Sequence, residues 1–180
     1  MDAEQALDHF CRKINGHNPF LIPLIPEPWA KADHCFQNVD RMIVMNGGTS
    51  QAGWQFALKR FERSKILVAV HHGVWQSPDD ELIDITAPNK DLLIQSKQIW
   101  FLPDSHATLL TPAGCRNGIA RPSLFFPVSK GRQTDELLAR LRRIEKADLT
   151  ARLFMCRVMS PDLGTISTRP TSRSLGQPGH

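Results

Sequence analysis

Residues 71–86 read HHGVWQSPDDELIDIT. A His pair enters, two apolar stretches flank a proline-acid turn, and an Asp leaves. Ser77-Pro78-Asp79-Asp80 suits a type I turn with Pro at its second position, closed by a left-handed residue that Asp tolerates. In the three-residue, bulged hairpin that results, Ser77 pairs with Glu81. Counting back puts Val74 opposite Asp84 and His72 opposite Thr86. His72 and Asp84 are then diagonal neighbours on one face, roughly 5–8 Å apart at Cβ. His71 points to the other face with Ala69, Gly73 and Trp75. A two-residue turn would shift the register and bring Asp84 beside His71 instead; the longer loop is the reading adopted.

Outward from this hairpin, GWQFALKRF (53–61), KILVAVHHGVW (65–75) and ELIDIT (81–86) form an antiparallel meander, with QIWFLPD (98–104) and SLFFPVS (123–129) as two further strands. Helices flank them. Ala3, Ala6, Leu7, Phe10 and Ile14 recur at helical spacing. Next, four prolines within residues 18–28 forbid helix and give an extended connector. A second helix is expected over 32–45, stopped by Asn46-Gly47-Gly48. Thr134 is placed as the cap of a last helix whose apolar stripe is Leu137, Leu138, Leu141 and Ile144. The expected whole is a single α+β domain over 1–159, with a core at 30–130 and a helical part at 133–159. A sheet of four to five antiparallel strands and a disordered Ser/Thr/Pro/Gly/Arg-rich tail over 160–180 complete it.

A chain of 180 residues with 41% hydrophobic and 22% charged residues can bury a sizeable core and is expected to be a globular protein. No apolar run approaches the ~20 residues that span a bilayer, and MDAEQALDHF is unlike a signal peptide, so a cytoplasmic protein without a membrane partner is expected. Cys11, Cys35, Cys115 and Cys156 lie far apart without a CxxC pair and are expected to be free thiols. Net charge is +4, partly from Arg140, Arg142, Arg143 and Lys146 on one helix face. That face has no interleaved aromatics, which argues against nucleic acid as a partner.

A carboxylate that holds an imidazole fixes its tautomer and stabilises its charged form, which is half of a nucleophilic site. Cys35 is the best candidate for the other half. It falls near the start of the second helix, where the dipole lowers a thiol pKa and free N–H groups can hold an oxyanion. Cys11 and Cys156 fit amphipathic helices as small buried hydrophobes, whereas Cys115, in a loop, stays open as an alternative nucleophile. A metal site built from His71, His72, His34, Cys35, Asp84 and His106 is disfavoured, because adjacent histidines on a strand point apart. No metal or cofactor is required.

The pattern His34-Cys35-Phe36-Gln37-Asn38-Val39, then His72-Gly73-Val74-Trp75, then Asp84-Ile85-Thr86 resembles the transglutaminase-like branch of the papain-like cysteine hydrolases. It is also similar to small bacterial and phage-type proteins with the layout C-x-x-N-V, G-G, G-W, H-x-V-W, P-D, D-I-T, here including Gly47-Gly48 and Gly53-Trp54. The likeness covers about residues 30–90. It implies a papain-like core and a triad of Cys35, His72 and Asp84 acting on a peptide or protein amide, as peptidase, deamidase or transglutaminase-type enzyme. Asn38, Trp54 and Trp75 are the candidates for the substrate-binding side. The Trp usual beside that nucleophile is missing, since His34 and Phe36 flank Cys35, and no oxyanion-hole Gln precedes it. The rival expectation is a non-catalytic binding or scaffold protein of a mobile element or phage that keeps the fold. A nucleic-acid binder using the basic helix face is the third.

Overall fold

The computed structural model describes residues 2–62, 64–88, 94–95, 97–112, 115 and 118–159. The proposed tail over 160–180 lies outside the described residues. Among the described residues the fold is α+β, with three helices and an antiparallel sheet of seven strands rather than the expected four to five.

Helix α1 (Ala3–Ile14) starts where the Asp2 side chain accepts the Gln5 N–H at 2.8 Å, and it buries Ala6, Leu7, Phe10 and Cys11. Strand β1 (Phe20–Pro23) follows, then α2 (Cys35–Asn46), the long strands β2 (Thr49–Phe61) and β3 (Ser64–Gln76), and short β4 (Leu82–Ile83). Two residues of β5 (Ile94–Gln95), then β6 (Gln98–Pro103), β7 (Leu124–Pro127) and the 28-residue α3 (Arg132–Met159) complete the described elements. The sheet runs β1-β6-β2-β3-β4, with β5 also on β6 and β7 also on β3.

The decisive hairpin takes the register read from its turn. Gln76 pairs with Leu82 and Trp75 with Ile83. The Ser77 N–H bonds Glu81 O, and Asp80 takes the left-handed conformation at φ +65. Beyond Ile83 the chain leaves β3: Asp84 forms a parallel bridge with Leu24, donating its N–H to Pro23 O and accepting from Ile25.

The faces of β3 carry separate cores. Leu67 and Ala69 join Trp54, Phe56 and α1, whereas Ile66 and Val68 pack against Leu138 of α3. Helix α2 packs Val39 and Met42 on Ile85, with Trp75 and Ile83 beside them. At roughly 25 cal/mol per Å² of apolar surface removed from water, these clusters are the main stabilising force.

Several expectations are corrected. The Pro-rich connector contains β1, because an edge strand tolerates Pro23, whose missing N–H the sheet does not need. The second helix starts at Cys35 rather than residue 32; Asp33 at φ +61 breaks the helical path before it. The last helix starts at Arg132. Thr134 lies inside its first turn, buried, with its hydroxyl 3.0 Å from that of Ser64. Ile144 is exposed rather than part of the apolar stripe. Cys115 and Cys156 are not free thiols: they are joined as a disulfide across 41 residues, a pairing their sequence spacing conceals. No helix among the described residues is long and apolar enough to cross a membrane.

Candidate active site

Along one edge, β3 pairs with β7 as far as Ala69 and with β4 only from Trp75. The first turn of α2 meets β3 in this gap. The Phe36 ring packs 4.8 Å from the His71 ring, and Gly73 is what admits it. A Cβ built at Gly73 would stand 2.8 Å from a Phe36 ring carbon. The approach brings Cys35 beside the Gly73 N–H and the His72 imidazole, both of which favour its thiolate form.

Burial raises the Cys35 thiol pKa, but the charge and hydrogen bond of His72 and the backbone N–H groups of Gly73 and Phe36 outweigh it. The net displacement is below the usual thiol value of 9.0. His72 answers in the opposite direction. Its burial favours the neutral ring, yet the negative charges of Asp84 and Cys35 hold its pKa up, at about 10. Each side of this pair therefore stabilises the charged form of the other.

Asp84 is 1% exposed, and its Oδ2 lies 3.1 Å from His72 Nε2. The contact is an ion pair, outside the angular range of a hydrogen bond. Two donors hold the carboxylate in place: Gln55 Nε2 to Oδ2 at 3.1 Å and the Thr86 N–H to Oδ1 at 2.9 Å. With Nε2 turned to Asp84, Nδ1 is the ring nitrogen left to exchange a proton with Cys35. Gln55 was absent from the sequence reading. Its signal is a polar side chain within GWQFAL, on a strand buried on both faces.

A cavity of about 300 Å³ opens at these groups, lined by Cys35, Gln55, His72 and Asp84, and by Ala57, Val70, Leu109 and Ala120. The expected substrate-side residues are placed otherwise. The Asn38 side chain is engaged with Lys31 N and O and with Thr86 Oγ1, tying the loop before α2 to the end of the hairpin. Trp54 donates to Asp104 Oδ2 and Trp75 to Gly47 O, and neither lines the cavity. Among the described residues, no three His, Cys, Asp or Glu side chains converge as a metal site would require. His34 and His106 are exposed.

No family model, curated protein or solved structure matches this chain.

Proposed function

We propose that this protein is a cysteine-dependent acyl transferase or amide hydrolase with a papain-like core, acting on a peptide or protein amide. The observation that carries the reading is the Cys35–His72–Asp84 array, a half-buried thiol beside a buried imidazole and carboxylate, in which thiol and imidazole shift each other toward the thiolate–imidazolium pair. The resemblance of residues 30–90 to transglutaminase-like cysteine hydrolases points the same way.

In this reading the Cys35 thiolate attacks the carbonyl carbon and a C–S bond forms. The negative charge moves to oxygen, where N–H groups of the first α2 turn, which lack helical partners, can receive it. Asn38 is occupied by Lys31 and Thr86, so the backbone is the better donor. His72 Nδ1 gives its proton to the departing amine, the C–N bond breaks, and a thioester remains on Cys35. His72 then takes a proton from water or a second amine, which releases the acyl group. Asp84 keeps the ring oriented through both steps and stabilises it whenever it carries the proton. Water as acceptor makes the enzyme a peptidase or deamidase; an amine makes it a transglutaminase-type crosslinker.

Incubation with p-nitrophenyl acetate, followed by intact-mass and peptide mass spectrometry, tests this. Acetylation at Cys35 with release of nitrophenolate, absent in Cys35→Ser and strongly slowed in His72→Ala, is expected. Acylation spread over Cys11 and surface lysines at comparable rates would leave a non-catalytic binding protein as the better description.

A further inference from the structure

His71, the other half of the histidine pair, is buried, and the chemistry just described does not use it. Its ring holds the two ends of a strap made of residues 107–112 and 118–121. Nδ1 accepts the Arg121 N–H at 3.0 Å, and Nε2 contacts Ala107 O. An acceptor at Nδ1 requires the proton on Nε2, which Nε2 then donates to that carbonyl. The Arg121 bond needs the neutral ring, so only the neutral ring makes both. Burial favours it most, and the positive charges of Arg121 and His72 add to that, against the Ala107 bond and Asp104.

The strap is otherwise a small ladder. Leu110 and Ile119 exchange both backbone hydrogen bonds, and Arg121 Nε donates to Thr108 O at 2.8 Å. Cys115, between its two arms, is joined to Cys156 of α3, and Arg152 of α3 donates to Ala120 O. Its Leu109, Gly118 and Ala120 line the cavity of Cys35, along with Ala57 and Val70 of the sheet. The strap thus supplies a compact, apolar wall to the space beside the nucleophile. The wall is close-set, since a Cβ at Gly118 would come within 2.9 Å of Leu109 Cβ.

We propose that His71 is a positioning residue: by fixing both ends of the strap it shapes an acyl-group pocket that selects small branched apolar acyl groups for transfer to Cys35. This rests on Cys35 being the nucleophile of the proposed reaction. The step is one acyl exchange: the thiolate forms a C–S bond with the ester carbonyl, the C–O bond breaks, and nitrophenolate leaves with the electron pair. A pocket that matches a few methylene groups discriminates by roughly 10- to 200-fold.

The test compares p-nitrophenyl 3-methylbutanoate with p-nitrophenyl acetate, each rate of Cys35 acylation divided by that of glutathione. The expected wild-type preference for the branched ester is about tenfold or more. In His71→Ala it should fall to near one, while the pH profile of Cys35 alkylation by iodoacetamide is unchanged. His71→Gln, which can keep an N–H for Ala107 O but has no acceptor at the Nδ1 position that faces Arg121, should lie between. Should His71→Ala fail to unfold cooperatively, Ala120→Leu decides. It fills the pocket directly and should remove the branched-ester preference while acetate still reacts. A wild-type ratio near one, or a ratio unmoved by a folded His71→Ala or by Ala120→Leu, overturns the proposal. Failure of both esters to acylate wild-type Cys35 instead removes the acyl-transfer reading beneath it.

Discussion

Asp84 concentrates the electrostatics of this site in one buried carboxylate, held by Gln55, Thr86 and the His72 ring. Removing one donor leaves a buried charge less well solvated, which costs about 1–3 kcal/mol. Gln55→Leu is therefore expected to lower stability by that amount, read from urea midpoints, and to slow Cys35 alkylation as Asp84 loses its alignment. The His72 charge gives a pH signature. Its folded pKa of about 10 stands above the ordinary 6.5, so its contribution to stability is fully present below pH 6.5 and is lost as pH rises through 10. The stability gap between wild type and His72→Gln, followed by urea denaturation, should be widest below pH 6.5 and close toward pH 10. A gap that widens with pH would contradict the pairing. Cys11 provides the internal contrast: burial, with Asp8 adding to it, pushes its thiol up to about 12, so it should stay unmodified while Cys35 reacts.

The strand–turn–strand unit at 71–86 shows how far the sequence carried. Pro78 and Asp80 set the loop, the loop set the register, and the register separated His72 from His71 on the correct sides. The helix that carries Cys35 was legible from the proline-rich connector before it and Asn46-Gly47-Gly48 after it, but its start was not, because the positive φ of Asp33 has no clear local signal. What stayed hidden depended on distant partners. Strand β1 is written in a proline-rich segment and exists because β6 offers it an edge. Gln55 reads as one polar residue in a strand until Asp84 is brought beside it from 29 positions away. His71 resembles a spare histidine until the strap meets it. Gly73 had no local turn to explain it, yet it is where the Phe36 ring of α2 seats against the sheet. Gly73→Ala should cost about 1–3 kcal/mol through overpacking against Phe36. It should also reduce Cys35 reactivity, because α2, pushed back by the new methyl group, carries the sulfur away from the Gly73 N–H and His72. A variant equal to wild type in thermal midpoint and in alkylation rate would show that the close approach has no consequence.

Two ties beyond the hydrophobic clusters organise the molecule around the site. Asn38 fastens the loop before α2 to Thr86, and the Cys115–Cys156 disulfide fastens the strap to α3. The disulfide departs from the free-thiol expectation, and it is a bond that oxidising surroundings sustain. Closing a loop of 41 residues stabilises by up to about 4 kcal/mol in the chain-entropy account. Cys115→Ser, or treatment with a dithiol reductant, is expected to lower the urea midpoint accordingly while leaving the Cys35–His72 pair intact. The measurement that tests the central claim most directly is the rate of iodoacetamide alkylation at Cys35 against pH, in wild type and His72→Ala. The wild-type profile should plateau well below pH 9, and His72→Ala should lose at least about tenfold at pH 7 with its midpoint moved to 9 or above. Superimposable profiles with a midpoint near 9 would mean that Cys35 is an ordinary thiol and that the imidazole beside it has no chemical role.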